Sequence, residues 1–186
     1  MTISRVSICN SALLKLGAER ITALDGSSKE ARICEEQYEK MRDLVLQDHP
    51  WNFALVRVEL ASTSNTPVFE WDYEFQLPVD CLRVIRMQER DYEFVVEGKK
   101  LLTNYDTCKI LYISKVEYEA NFTAYFAEAL AMRLASDLAY NLIQNPGLAG
   151  QFLNEYKQFI RDARSIDAQE GTPENVEDNS YILSRT

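Results

Sequence analysis

Apolar positions recur along this chain with two periods, and each change of period marks a boundary. Residues 4–17 place Val6, Cys9, Leu13, Leu14 and Leu16 at helical spacing, with Ser4 as N-cap and Gly17 as C-cap. Residues 18–28 read as a connector anchored by Ile21 and Leu24. Asp25-Gly26 signals a turn there, and Ser27 or Ser28 caps the next helix. The stretch 31–53 organises the rest. Ile33, Cys34, Tyr38, Met41, Val45 and Leu46 form one stripe, while Glu35, Glu36, Glu39, Lys40, Arg42 and Asp43 fall largely outside it. Pro50 biases His49 away from helical angles, so the helix must stop there. Trp51 and Phe53 follow at once. Two large apolar groups beside a forced stop predict a buried structural corner against the sheet or the last helices.

The period then drops to two. Residues 55–60 alternate, with Val56, Val58 and Leu60 on one face. Residues 61–66 form a polar loop closed by Pro67. Across 69–77, Phe69, Trp71, Tyr73, Phe75 and Leu77 share one side of a predicted strand, and Glu70, Asp72, Glu74 and Gln76 the other. Residues 82–87, 92–96 and 109–113 are further strands, and Glu97-Gly98-Lys99-Lys100 is a tight turn into Leu101-Leu102. The helical period returns near Asn121. Phe122, Tyr125, Phe126, Ala129, Leu130, Leu134, Leu138 and Leu142 trace a broad face, and intervening alanines allow close packing. Asn145-Pro146-Gly147 breaks that helix, and a last one runs over 148–168.

These elements predict an α+β fold: an α-helical bundle core with an inserted small antiparallel β-sheet or barrel-like lobe, and an extended C-terminal tail. The divisions fall at 1–54 and 119–168 for the bundle helices, 55–118 for the lobe and 169–186 for the tail. Gly171, Pro173 and the acids of the tail cannot bury enough surface to fold alone. Tyr181, Ile182 and Leu183 form an apolar anchor that needs another surface.

Charge and chemistry narrow the function. The net charge of −9 argues against non-specific attraction to a nucleic-acid backbone. Four well-separated cysteines with mostly apolar neighbours suggest buried free thiols, though spacing alone leaves a pairing open. No apolar run reaches membrane-span length and no signal-peptide core opens the chain, so soluble intracellular synthesis is the expectation. His49, the single histidine, reads as a helix-end residue rather than a general base. Glu70, Asp72 and Glu74 could gather for metal or acid–base work, but read better as a solvated strand face. Gly98-Lys99-Lys100 suits a hairpin better than a phosphate loop. Arg83, Arg86 and Arg90, interrupted by Glu89 and Asp91, read as surface or subunit contact. No catalytic residue, metal ligand or cofactor site is assigned.

Three blocks then form a recognisable pattern. Residues 12–54, ALLKLGAERITALDGSSKEARICEEQYEKMRDLVLQDHPWNFA, resemble the N-terminal signature of the tail tubular protein A family, the adaptor or head-to-tail connector proteins of short-tailed bacterial viruses. Residues 73–84, YEFQLPVDCLRV, resemble the family's second block. Residues 126–135, FAEALAMRLA, followed by Ala163-Arg164 and Asp167-Ala168-Gln169-Glu170, resemble the third. The similarity runs through nearly the whole chain in one order. It implies a structural, non-enzymatic virion protein of the viral tail, assembled after synthesis in the host cytoplasm. It implies a dodecameric ring with a portal protein on one side and a tail tube or nozzle protein on the other. DNA passes through the channel during genome ejection without being recognised, and no membrane is involved. The C-terminal segment, with Tyr181, Ile182 and Leu183, is the expected portal-binding element. A head- or tail-completion protein of a long-tailed phage and a small tail-associated glycan hydrolase are the alternatives.

Overall fold

The computed structural model describes residues 2–169, with the backbone alone over 164–169. Two α-helices precede and two follow an inserted lobe of six strands: α1 (Arg5–Lys15), α2 (Lys29–Asp48), β1 (Leu55–Leu60), β2 (Tyr73–Gln76), β3 (Cys81–Met87), β4 (Phe94–Glu97), β5 (Lys100–Thr103), β6 (Cys108–Ser114), α3 (Ala124–Leu138) and α4 (Pro146–Gln169). The fold is α+β, as the periodicity predicts.

Local chemistry sets the helix ends. Ser4 and Ser7 form a reciprocal capping box on α1. Gly17, at φ +67°, closes α1 in the left-handed region that glycine enters without strain. The Gly17 N–H bonds to the Leu14 carbonyl and the Ala18 N–H to that of Leu13, which satisfies two carbonyls at the helix end. Ser28 caps α2 by accepting from the Ala31 N–H at 3.1 Å. At its far end α2 stops at Asp48, and His49 before Pro50 is extended (φ −141°, ψ 139°).

α3 is the central helix, touching α1, α2 and α4. Ala129, Ala131 and Ala135 along it and Ala139 just after it are fully buried, and their small side chains let the other helices approach closely. The chain leaves α3 through a short π-helical segment, Ala139–Ile143, and a left-handed Gln144. Asn145-Pro146-Gly147 then opens α4 rather than only ending α3. The Asn145 side chain accepts from the Leu148 N–H at 3.1 Å, and Pro146 occupies the first helical position, where a missing N–H costs nothing.

The six strands divide into two three-stranded antiparallel sheets, ordered β1-β6-β3 and β2-β5-β4. Leu60, Phe75, Leu77, Met87, Leu101, Ile110 and Tyr112 close a core inside the lobe. Ile113 joins the bundle core, and Leu55, Leu82 and Ile85 pack against it. The near end of the first sheet is therefore tied to the helices, while its far end stands clear of them.

Two local expectations change. The long alternation over 69–77 yields a strand only at Tyr73–Gln76. Glu70 sits at φ +68°, which turns the backbone, and Phe69 stands 73% exposed. Arg42, expected outside the helix stripe, is fully buried. Its Nε and Nη2 both reach one Asp43 carboxylate oxygen, at 2.9 and 2.8 Å, so its charge is paired as well as buried.

Candidate functional site

The junction between bundle and lobe is an aromatic cluster built around Trp51. Its ring is 1% exposed and stands edge-on to Phe126, with centroids 5.3 Å apart. His49 packs edge-on to Trp51 at 4.8 Å. The indole N–H donates to the Val45 carbonyl at 3.0 Å. That carbonyl lies in the last turn of α2, where no helical N–H reaches it, so the indole satisfies a group the helix leaves open. Phe53 is half-buried and packs 5.2 Å from Phe126 and 5.8 Å from Phe122. Ser114, at the end of β6, donates to the Ala54 carbonyl at 3.1 Å and fastens the sheet to the same corner.

The residues weighed for chemistry are held structurally. His49 is buried against the Trp51 ring. The three acids at 70–74 do not share a solvated face. Glu70 lies in the turn, while Glu74 is buried under the preceding loop, and its carboxylate takes Thr63 Oγ1 at 2.8 Å and Lys100 Nζ at 2.9 Å. Hydrogen bonds from Lys100 and then Thr63 hold the Glu74 carboxyl below the usual carboxylate range. Its contribution to stability is therefore present above the unfolded carboxyl value and is lost as pH falls through the folded one. We expect Glu74→Gln to flatten the acid limb of a stability–pH profile, and an unchanged limb would contradict this pairing. Among the described residues, no group of three His, Cys, Asp or Glu side chains could hold a metal ion.

All four thiols are free. A hydrogen bond from Cys9 to Cys34, together with burial, pushes the Cys9 thiol up. Burial and the Asp80 charge raise Cys81 to about 11. Burial alone raises Cys108 to about 11. Thiols raised this far stay protonated and weakly nucleophilic near neutral pH.

Three surface features can instead meet partners. First, the free end of the β1-β6-β3 sheet carries Arg57, Arg86 and Lys109 around Leu111, with Glu59 3.8 Å from Lys109. Arg83 is exposed on the same sheet, and Arg90 lies just beyond β3. Second, the loop after β1 projects Val68, 96% exposed, beside Phe69. Third, a cleft of about 500 Å³ lies between α2, α3 and α4. Leu44, Leu153, Tyr156 and Ile160 form its apolar lining, and Arg133, Lys157 and Arg161 surround it. The Tyr156 hydroxyl donates to Asp48 at 2.7 Å across the cleft. Arg133 is 24 residues from Lys157, so no local pattern announces this cleft. The four-residue spacing of Lys157 and Arg161 on one helix was the available signal.

Tyr181, Ile182 and Leu183, the sequence candidates for portal binding, lie outside the described residues, as does the tail from 170 onward. Among the described residues no helix is long and apolar enough to cross a membrane. No family model matches the chain, and no curated protein matches it.

Proposed function

We propose that this chain is a structural adaptor subunit of a bacterial-virus tail, forming a ring that joins a portal protein to the tail tube or nozzle and surrounds the passing DNA. The observation that carries the reading is the three-block resemblance, which runs in one order through nearly the whole chain. The blocks also occupy adjoining parts of the fold. Residues 12–54 span the last turn of α1, all of α2 and the aromatic corner, residues 73–84 form β2 and the start of β3, and residues 126–135 lie in the central helix. An acidic protein suits the role physically, since a strongly basic channel would hold a moving polyanion rather than release it. A glycan hydrolase needs a carboxylic acid with a raised pKa, whereas Glu74 is held low.

On the tail side, the loops of the lobe are the proposed contacts, because loops on a rigid scaffold commonly carry binding. A portal-loaded ring should capture the nozzle protein in a pull-down. Replacing residues 61–66 and 104–107 with glycine–serine segments should weaken capture while the circular dichroism spectrum is retained. Full capture by the folded replacement would remove these loops from the interface, and no capture by the unaltered chain would count against the adaptor reading.

A further inference from the structure

We propose that the cleft between α2, α3 and α4 is the docking site of residues 174–183 of the same chain. Arg133, Lys157 and Arg161 outnumber the one lining carboxylate, Asp48, which accepts from the Tyr156 hydroxyl, and none of the three cations has an ion-pair partner among the described residues of a protein whose net charge is −9. The cleft thus calls for an occupant that is acidic and apolar together. Residues 174–183, ENVEDNSYIL, have that character: Glu174, Glu177 and Asp178 precede Tyr181, Ile182 and Leu183.

The lengths agree with a return along α4. From Gln169 back to Leu153 the helix covers about 24 Å at 1.5 Å per residue. Gly171 and Pro173 supply the residue types of a chain reversal. An extended segment starting at Pro173 reaches Tyr181 after about 26 Å, at roughly 3.3 Å per residue. In that register Glu177 and Asp178 fall beside Lys157 and Arg161, and the apolar trio falls beside Leu44 and Leu153. A tether this short gives the chain's own segment a high effective concentration over any free competitor. If the same segment binds a portal, docking becomes an exchange from the cleft to the portal. The cleft assignment itself stands on its charge and length match and does not rest on the adaptor reading.

Nuclear magnetic resonance relaxation on the full chain alone tests it. Backbone order parameters over 174–183 are expected above about 0.6, the level below which a segment counts as flexible. Contacts should link the Tyr181 ring to Leu44 or Leu153 methyls, and neither result should change on about tenfold dilution, because an intramolecular contact does not depend on concentration. Lys157→Glu with Arg161→Glu, both exposed positions, should release the segment, and Glu177→Lys with Asp178→Lys in that background should restore it. Flexible values in the unaltered chain overturn the proposal. Order that survives the double reversal, or that disappears on dilution, overturns it as well.

Discussion

Replacing Trp51 with alanine should destabilise the protein by about 3–5 kcal/mol, the usual cost of deleting a large buried aromatic side chain. The side chain is 1% exposed and lies against Phe126 and His49, so its removal leaves a cavity where the lobe joins the bundle. The Val45 carbonyl also loses its donor at a helix end that has few others. Trp51→Phe separates the two effects. It keeps most of the packing and loses the hydrogen bond, so it should cost roughly 1–3 kcal/mol. Phe53→Ala should fall below Trp51→Ala, because Phe53 is only half-buried. Denaturant midpoints measure all three. A Trp51→Ala cost under about 1 kcal/mol would mean the corner does not join bundle and lobe.

That corner was legible because it is a local conflict: a proline-forced stop followed at once by two large apolar residues. The helices were legible for a related reason, since stripe and caps are written within a few residues of each other. Leu14 departs from this by remaining 60% exposed although it lies within the apolar run of α1. The alternation over 69–77 is longer than the strand it contains, because alternation records only which positions are apolar. Alternation says nothing of the positive φ at Glu70, and the loop that covers Glu74 is held by bonds of Glu74 to Thr63 and Lys100 and of Asp72 to Asn104, distant in sequence. The division into two sheets depends on β6 pairing between β1 and β3, which no local pattern specifies. Arg42 reads as a surface residue by type, and only its Asp43 contact in the folded chain makes burial tolerable. The cleft escapes for the same reason, being assembled from three helices.

On the proposed adaptor reading, removing residues 171–186 should lower affinity for the portal by at least about a hundredfold while leaving the protein folded. The described core runs from Ile8 to Ala163 and does not use the deleted segment. Tyr181, Ile182 and Leu183 offer apolar area worth a few kcal/mol per subunit at about 25 cal/mol per Å², less the cost of ordering the segment. Repetition around a ring multiplies that modest term into avidity, so its loss is felt far beyond one contact. Alanine at all three positions should reproduce most of the effect with the chain length unchanged. Equal portal affinity for the full and shortened chains would place the portal contact elsewhere.

The adaptor reading also predicts how assembly begins. Subunits of net charge −9 repel one another, so closure of a ring from free subunits is opposed electrostatically. A portal that presents repeated docking sites offsets that repulsion by holding neighbours in place. The most direct measurement is light scattering on the chain alone, on the portal protein of the same virus alone, and on their mixture. The account predicts a monomer or weak oligomer for the chain by itself, and a mixture whose mass exceeds the portal by one ring of subunits. A folded chain that adds no mass to the portal would contradict it.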